Sequence, residues 1–388
     1  MKKRILLTVL TACILVAMIS SIPMTLFAAT DATGGEWTTS LTETFSIYSK
    51  DSSINSVGTT TILTYTLDSN SNATITGYEG SATAIAIPSE IDGYTVTAIG
   101  SRAFANNKVL KSINITDSVT VIDYYAFANC TNLSTVNMSK NLETLRGGAF
   151  MGCSSLTDIF IPKTLTDVNR NGSIDTVFNG AGLKNVTIED GMTELPTWLF
   201  AFCDSLETIE LPDSLIKIGV NAFNGCEKLK KISIPDSVKE ILPGSFHACD
   251  GLADKNGFVI INNVLYNYCG KEKYVVIPDG VTDISIRAFM GCETLETVIL
   301  PETLIKIWKF AFSRCVNLEK IEIPESVECI GGYSFSGCKN LQSFIITETL
   351  KKISVNAFSH CPELCIYAPL CSYGHKYAKH FGISYMDI

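Results

Sequence analysis

The sequence predicts a solenoid, a rod of short coils stacked on one another, and three observations lead to this prediction. A phenylalanine, in most cases preceded by Ala or Ser, recurs eleven times, and eight of the ten intervals are 22 or 23 residues long. Leucine and isoleucine stand at fixed offsets from it, and a cysteine commonly follows three residues later. The recurring residues are Phe104, Phe127, Phe150, Phe178, Phe200, Phe223, Phe246, Phe289, Phe312, Phe335 and Phe358. Such a period indicates units that bury their apolar side chains against the next unit rather than in one central core.

Each unit predicts one strand, one turn and one returning segment. The pattern L-x-x-I-x-I, as in residues 229–234, alternates apolar and polar residues and predicts a short strand. Proline often follows, as at Pro235, and closes the strand because it has no N–H to donate. The segment from Val238 to Ile241 then returns on the opposite side of the coil. This period and pattern are typical of a leucine-rich-repeat solenoid, with a parallel β-sheet on the concave face and short strands and turns on the convex side.

Before the repeats, residues 61–100 predict an N-terminal cap and lead-in. Residues 62–67 and 73–78 alternate in polarity, and the polar run between them, residues 68–72, is typical of a hairpin turn. A solenoid needs an end unit with a polar outer face, and we expect this β-hairpin to be that cap. Upstream, residues 30–60 are rich in Ser and Thr and are predicted to be a poorly ordered spacer.

The first segment, residues 1–29, predicts a secretory signal peptide. It begins with basic residues at 2–4, continues as an apolar run and ends in small residues at 28–29. The run is long enough for a membrane anchor, an alternative that Pro23 disfavours by interrupting it. Lipid attachment at Cys13 is a second alternative, although the sequence stays apolar beyond that residue. We expect a secreted or cell-surface protein with no membrane span once the signal is removed.

The charge of the chain disfavours one class of partner. The chain has 30 basic and 39 acidic residues, a net charge of −9 that becomes −12 without the three basic residues of the first segment. An acidic chain with no basic stripe cannot displace the counterions of a phosphate backbone. We therefore expect no nucleic acid partner. The sequence also has no glycine-rich phosphate or dinucleotide motif, and we expect no cofactor.

The 14 cysteines predict a packing ladder rather than a disulfide framework. Nine of them follow a repeated phenylalanine by three residues and so occupy equivalent positions in successive coils. Free cysteine is a small, usually buried side chain that suits such positions, and no C-x-x-C spacing indicates a metal site. The nine are Cys130, Cys153, Cys203, Cys226, Cys249, Cys292, Cys315, Cys338 and Cys361. Outside the ladder, Cys365 and Cys371 are close enough in sequence to pair, and this alternative stays open.

The order A-F-x-x-C…L-x-x-I-x-I-P, seen from Ala222 and again from Ala311, resembles the BspA-like leucine-rich-repeat family of secreted and cell-surface proteins. The resemblance extends over about residues 61–388. It implies binding rather than catalysis, in the form of adhesion to host or matrix proteins or to other microbes.

Three departures from the basic unit resemble variants of the same family. Residues 73–99 resemble its lead-in. The interval of 43 residues contains an insertion, about residues 253–275, that resembles an extra hairpin turning at residues 262–263. Residues 365–388 resemble a short helical C-terminal cap. The solenoid itself would then span residues 101–364.

One segment, residues 167–175, follows the D-x-N-x-N-G-x-I-D opening of a calcium loop. The twelfth position, which should be a bidentate carboxylate, is Phe178, a core residue of the repeat. We therefore expect no metal, and weak calcium binding is the alternative. Its ligands would be Asp167, Asn169, Asn171 and Asp175.

The outward residues of the predicted strands form the candidate binding face. In L-x-x-I-x-I the Leu and Ile side chains point into the core, so the residues between them point to solvent. Most of these outward residues are small or polar, and an exposed apolar cluster among them would mark a partner site. The candidate residues are Phe160, Tyr274, Val276, Ile299, Ile345, Lys231, Lys320 and Glu322.

The sequence as a whole predicts an exported, non-enzymatic, adhesin-like protein that recognises an extracellular protein or glycan through its concave face. No motif for nucleophilic catalysis accompanies any of the four histidines. The alternative is a structural or assembly protein of the cell envelope that binds nothing tightly through this face.

Overall fold

Two rows of short parallel strands form the body of the molecule. The computed structural model describes the backbone of Phe45–Ser49, residues 61–168 and residues 176–388. We call the outward surface of the row with longer strands the strand face. Its strands are Ala84–Ala86, Ser112–Asn114, Thr135–Asn137, Asp158–Ile161, Asn185–Ile188, Thr208–Glu210, Lys231–Ser233, Tyr274–Val276, Thr297–Ile299, Lys320–Glu322, Ser343–Ile345, Cys365–Ala368 and Ser384–Asp387. The opposite row consists of Tyr94–Ile99, Val121–Ile122, Thr144–Leu145, Glu194–Leu195, Lys217–Ile218, Glu240–Ile241, Asp283–Ile284, Lys306–Ile307, Cys329–Ile330 and Lys352–Ile353.

Neighbouring strands of the strand face pair in parallel at the period of the sequence. Thr208 pairs with Lys231, and Tyr274 pairs with Thr297, which in both cases lies 23 residues further along. Equivalent residues of successive coils therefore stand beside one another. The parallel-strand solenoid predicted from the repeat is confirmed.

The repeated phenylalanine rings stack through the core. The ring centroids of Phe104 and Phe127 are 5.1 Å apart, and those of Phe312 and Phe335 are 5.3 Å apart, with nearly parallel planes in both pairs. Aromatic pairs at this separation stabilise a core beyond the area that they bury. The stack runs from Phe104 to Phe246 and again from Phe289 to Phe358, and within each run a coil has the same anchor on its neighbours. Between the two runs, Tyr266 packs edge-on against Phe246, and Tyr268 is tilted against Phe289.

The cysteine ladder adds hydrogen bonds between coils. The Sγ of Cys226 donates to the main-chain carbonyl of Phe200, and the Sγ of Cys315 to that of Phe289, each at 3.1 Å. Burial raises the pKa of Cys226 to about 12, so its thiol stays protonated at neutral pH. All 13 described cysteines are free thiols, including Cys365 and Cys371.

Two turn positions in the coils have a left-handed backbone. Tyr125 and Asn129 flank Phe127 with φ angles of 58° and 59°, and in the next coil Gly148 and Gly152 both have φ of 71°. A Cβ added to Gly148 would collide with the ring of Tyr125. Glycine is required there because the backbone is left-handed and a ring from the previous coil lies against it.

A hairpin is inserted between the coils of Phe246 and Phe289. Its strands, Phe258–Ile261 and Val264–Tyr268, are antiparallel and follow a single 3₁₀ turn, Asp250–Leu252. The turn consists of Asn262 and Asn263, whose φ angles are 48° and 64°. Two left-handed residues match the twist of a tight hairpin, and asparagine tolerates this conformation better than most residues.

This hairpin divides the buried side chains into two cores. Successive side chains of a strand point to opposite sides, and Val259 and Tyr266 pack with the core that extends back to Leu63. Phe258 and Leu265 pack instead with the core that extends to Ala378. Tyr268 also joins this core, although it follows Tyr266 by two residues, because a shift in pairing register at Val259 and Ile260 interrupts the alternation. We call the coils around the first core the first block and those around the second core the second block.

The strand face is hydrogen-bonded differently in the two blocks. In the first block it consists of one three-stranded and two two-stranded sheets. In the second block all the strands from Tyr274–Val276 to Ser384–Asp387 belong to one sheet of six strands. The second block therefore presents the larger continuous surface.

The ends of the described chain differ in structure. At the N-terminal end, Thr61–Leu67 pairs antiparallel with Ala73–Glu79 and, on its other edge, with Phe45–Ser49, which lies within the segment predicted as a spacer. A short strand, Glu90–Ile91, pairs with Tyr94–Ile99 in the lead-in.

At the C-terminal end, one helix, Tyr373–Phe381, connects the last two strands of the strand face in the chain. The side chain of Ser372 accepts a hydrogen bond from the N–H of His375 at 3.2 Å and caps the helix. Within the described residues, no helix has the length and apolar character needed to cross a bilayer.

Candidate binding face

The strand face alternates in burial as the sequence pattern predicts. In Thr208–Glu210 the central Ile209 is buried while both flanking side chains are exposed. Tyr274–Val276 has the same arrangement around Val275. The outward residues are therefore held by a backbone whose central side chains are fixed in the core.

Three apolar side chains form a contiguous exposed group on the second block. Tyr274, Val276 and Ile299 are 57%, 52% and 44% exposed. Tyr274 and Val276 lie on the same side of one strand, and Val276 pairs directly with Ile299 on the next strand. Paired strands are about 4.8 Å apart, so the three side chains adjoin one another. We call these three residues the apolar cluster.

On one side of the apolar cluster, the inserted hairpin forms the wall of a depression of about 720 Å³. Tyr274 and Val276 line it together with residues 253–258 and 268–270. The Asp254 carboxylate accepts hydrogen bonds from the N–H groups of Asn256 and Phe258 at 2.8 and 2.9 Å, which fixes the loop that forms this wall. We call this feature the hairpin depression.

On the other side of the apolar cluster, the strand face opens between Thr297–Ile299 and Lys320–Glu322. A single residue pair, Thr297 with Lys320, joins these two strands, whereas three pairs join the strands at each neighbouring junction. A depression of about 580 Å³ lies at the opening, lined by Ile299, Lys320 and Glu322 among others. We call this depression the slot.

Charged side chains along the edge of the strand face pair with each other. Lys230 lies 2.9 Å from Glu207, and Lys273 lies 2.6 Å from Glu296. In the slot, Lys320 is paired with Glu322 of the same strand at 2.6 Å. Exposed pairs of this kind stabilise a fold only slightly, but they neutralise the charges that they join.

Five of the eight candidate residues come together in this region: Tyr274, Val276, Ile299, Lys320 and Glu322. Ile345 is half-buried and pairs with Glu322 on the far side of the slot. Phe160 and Lys231 lie in the first block, away from this group. Phe160 is half-buried because it packs against the first core, and it lines a separate depression of about 450 Å³.

The calcium alternative falls largely outside the described residues, which include Asp167 but not Asn169, Asn171 or Asp175. Asp167 is exposed, and its main-chain carbonyl accepts a hydrogen bond from the N–H of Leu145 at 2.9 Å. Nowhere in residues 61–168 or 176–388 do three or more His, Cys, Asp or Glu side chains form a group that could hold a metal.

One histidine, His247, is half-buried near the end of the first block. Burial, together with the positive charge of Arg287, lowers the pKa of His247 to about 4. Its Nδ1 atom is buried without a hydrogen-bond partner among the described residues. The imidazole is therefore neutral at physiological pH and belongs to the interior at the junction of the blocks.

A second group of exposed apolar side chains was not predicted from the sequence. It lies in the last 19 residues, where the tail was expected to be a helical cap and the final strand, Ser384–Asp387, was not anticipated. Residues 383–388 show no regular alternation of apolar and polar side chains, so no two-residue period indicated this strand. The group consists of Leu370, Tyr373, Phe381, Tyr385, Met386 and Ile388.

Comparison with known protein families decides the classification. The BspA type leucine rich repeat region matches in six copies over residues 78–172, 174–256 and 259–369, which together make up more than half of the chain. The chain belongs to the BspA-type leucine-rich-repeat family. The resemblance of the A-F-x-x-C repeat to this family is thereby confirmed.

Solved structures similar to this BspA-type chain come from several bacteria. One is a leucine-rich cell surface protein from Faecalibacterium prausnitzii, 31% identical, covering 81% of this chain and 95% of its own length, with a TM-score of 0.50. The pneumococcal vaccine antigen PcpA is 17% identical, covers 89% and 98% of the two chains, and has a TM-score of 0.50, which shows a shared fold. No curated protein sequence matches the chain significantly.

Proposed function

We propose that this BspA-type chain is an exported, non-enzymatic binding protein that holds an extracellular protein or glycan against the apolar cluster. The observation that carries the proposal is the position of Tyr274, Val276 and Ile299, exposed side by side between two depressions on the continuous sheet of the second block. Residues 1–29 would direct export.

The physical support for binding is preorganisation. Each residue of the apolar cluster flanks a buried side chain of a paired strand, so little conformational freedom remains to be lost when a partner binds. Apolar side chains removed from water at the centre of an interface supply most of its binding energy, while a polar rim supplies specificity. The apolar cluster and the charged walls of the slot have this arrangement.

The support for surface display comes from the family. The similar protein from Faecalibacterium prausnitzii is described as a cell surface protein, and it matches over most of both chains. An exported scaffold with a rigid outward sheet suits a role in adhesion. Seven of the nine ladder cysteines are buried, so export to an oxidising compartment leaves those seven thiols out of reach of disulfide exchange.

The test is binding of the protein to an array of extracellular-matrix proteins and glycans. The decisive variant combines Tyr274→Ser, Val276→Ser and Ile299→Ser. We expect at least one array ligand to bind the native protein and to lose at least about tenfold in affinity for the variant, with the melting temperature unchanged, because the variant removes the three exposed apolar side chains at the interface centre.

The matched control removes three equally exposed apolar side chains that lie off the strand face: Ile216→Ser, Ile305→Ser and Val355→Ser. We expect this control to bind the array ligands as the native protein does. A ligand that binds the cluster variant normally would contradict the proposed site, and the apolar group of the C-terminal cap would then be the next surface to change. Absence of any ligand would favour a scaffold of the cell envelope.

A further inference from the structure

The surroundings of the apolar cluster are acidic. Among the residues that line the hairpin depression and the slot, two are basic, Lys255 and Lys320, and Lys320 is already paired with Glu322. Glu302 and Glu325 line the slot and have no Lys, Arg or His nitrogen within 4.0 Å in the part of the chain that the structure describes. The acidic residues lining the two depressions are Asp254, Glu272, Glu302, Glu322 and Glu325.

The slot also leaves main-chain groups without their usual partners. At the two neighbouring junctions, the N–H of Ile277 donates to the carbonyl of Ile299 at 3.0 Å, and the N–H of Ile323 donates to the carbonyl of Ile345 at 3.1 Å. The corresponding bond from the N–H of Leu300 to the carbonyl of Glu322 is not made between these two described residues. One main-chain hydrogen bond that both neighbouring junctions make is therefore missing where the strand face opens.

We infer that the occupant of this surface is an extended polypeptide segment with a Lys or Arg flanked by apolar residues, rather than a neutral glycan. The inference rests on the proposed function and names the class of partner. The basic side chain enters the slot beside Glu302 and Glu325, and the apolar side chains rest on Tyr274, Val276 and Ile299.

The dimensions suit a short segment. The strands of Tyr274, Ile299 and Lys320 are consecutive, so the hairpin depression and the slot are separated by one or two strand spacings of about 4.8 Å. An extended chain advances about 3.3 Å per residue, with side chains on one side about 7 Å apart. A segment of roughly four to six residues is therefore long enough to place an apolar side chain on the apolar cluster and its basic side chain in the slot.

The test uses a display library of random 12-residue peptides, selected on the full chain produced with its own N-terminal segment and counter-selected on the Tyr274→Ser, Val276→Ser, Ile299→Ser variant. We expect the enriched peptides to carry Lys or Arg between apolar residues. Because the attraction between unlike charges weakens with salt, their binding should also fall as the ionic strength rises.

Two charge variants with matched chemistry sharpen the test. Glu302→Gln with Glu325→Gln removes the unpaired acidic charge of the slot, whereas Asp213→Asn with Asp236→Asn changes exposed acids at the same repeat position, just after the proline, in the first block. We expect the enriched peptides to bind the first variant about tenfold more weakly and the second normally. Replacing the basic residue of these peptides with Gln should weaken their binding to the native protein by about the same factor.

Three outcomes would overturn the inference: enrichment without an excess of basic residues, equal binding to the Glu302→Gln, Glu325→Gln variant, or no enrichment over the counter-selection. These outcomes differ from failure of the proposed function. A glycan from the array that loses affinity for the apolar-cluster variant but not for the Glu302→Gln, Glu325→Gln variant would support the proposed function and overturn the polypeptide partner. An array ligand indifferent to the cluster variant would overturn the proposed function itself.

Discussion

The first and second blocks are built from the same coil but present different surfaces. The centroids of stacked phenylalanine rings are 5.1 to 6.2 Å apart in the first block and 4.8 to 5.6 Å apart in the second. The hydrogen bonds of Cys226 in one block and Cys315 in the other both measure 3.1 Å. The strand face is interrupted in the first block and continuous in the second, where the apolar cluster lies. The inward residues thus specify the coil, and the outward residues together with the inserted hairpin specify what the coil can bind.

The inserted hairpin explains part of this difference. Its two sides pack against different cores, so it joins the blocks while ending the strand face of the first one. It also supplies one wall of the hairpin depression beside Tyr274. An insertion in a repeat protein can create a binding site in this way without altering the coils on either side.

The largest expected effect is a loss of unfolding free energy, and it tests the division into two cores. Replacing Phe223 in the first block or Phe312 in the second with Ala removes a fully buried ring, which costs about 3–5 kcal/mol in unfolding free energy. We expect hydrogen exchange to accelerate mainly in the block that carries the substitution, because contacts in a solenoid are with nearest neighbours. Chemical denaturation with exchange mass spectrometry measures both. A loss under about 1 kcal/mol, or equal acceleration in both blocks, would contradict the division into two cores.

A pH-dependent effect is expected at the junction of the blocks. The pKa of His247 is lowered to about 4, whereas an unfolded chain takes up a proton near pH 6.5. Between these values the unfolded state binds more protons, so the unfolding free energy falls as the pH falls, by up to about 3 kcal/mol at pH 4. His247→Gln should flatten this part of the pH profile in denaturation experiments. An unaltered profile in the His247→Gln variant would contradict a buried neutral imidazole.

A smaller effect is expected from the thiol ladder, and it should be the same in both blocks. Cys226→Ala and Cys315→Ala each remove one hydrogen bond between coils, for which we expect a loss of about 1 kcal/mol. Thiol labelling of the folded protein should modify the exposed Cys371 rapidly and the ladder cysteines only on unfolding. Rapid labelling of Cys226 in the folded state would show that the ladder thiols are accessible to solvent.

The smallest effect concerns the exposed ion pairs. Lys230→Ala in the first block and Lys273→Ala in the second each remove a pair at the edge of the strand face. We expect no measurable change in melting temperature for either variant, because both partners are solvated. A clear loss for Lys273→Ala alone would mean that the edge charges contribute to the continuity of the second sheet.

Much of this fold could be predicted from the sequence because the repeat fixes which residues point inward. The spacing of Phe223 and Cys226 predicted their burial, and the alternation around Val275 predicted the exposure of Tyr274 and Val276. Periodicity does not report where paired strands separate, so neither the slot beside Ile299 nor the missing hydrogen bond between Leu300 and Glu322 could be predicted.

Other features depended on contacts between coils that no single unit contains. The sequence indicated Cys226 as a small apolar side chain, but its hydrogen bond to Phe200 requires the register of two coils. Phe160 was predicted to be an outward apolar residue, yet it is half-buried, because its ring also reaches the core beside an interrupted part of the sheet. Lys231 is exposed as predicted, but the inserted hairpin separates its strand from that of Tyr274.

The most direct measurement is hydrogen exchange of the protein with and without a ligand found on the array or in the peptide selection. If the second block is the binding surface, protection should appear at residues 274–276, 297–299 and 320–322, and should be absent from the strand face of the first block. Protection confined to the first block, or to the C-terminal cap, would contradict the assignment of binding to the apolar cluster.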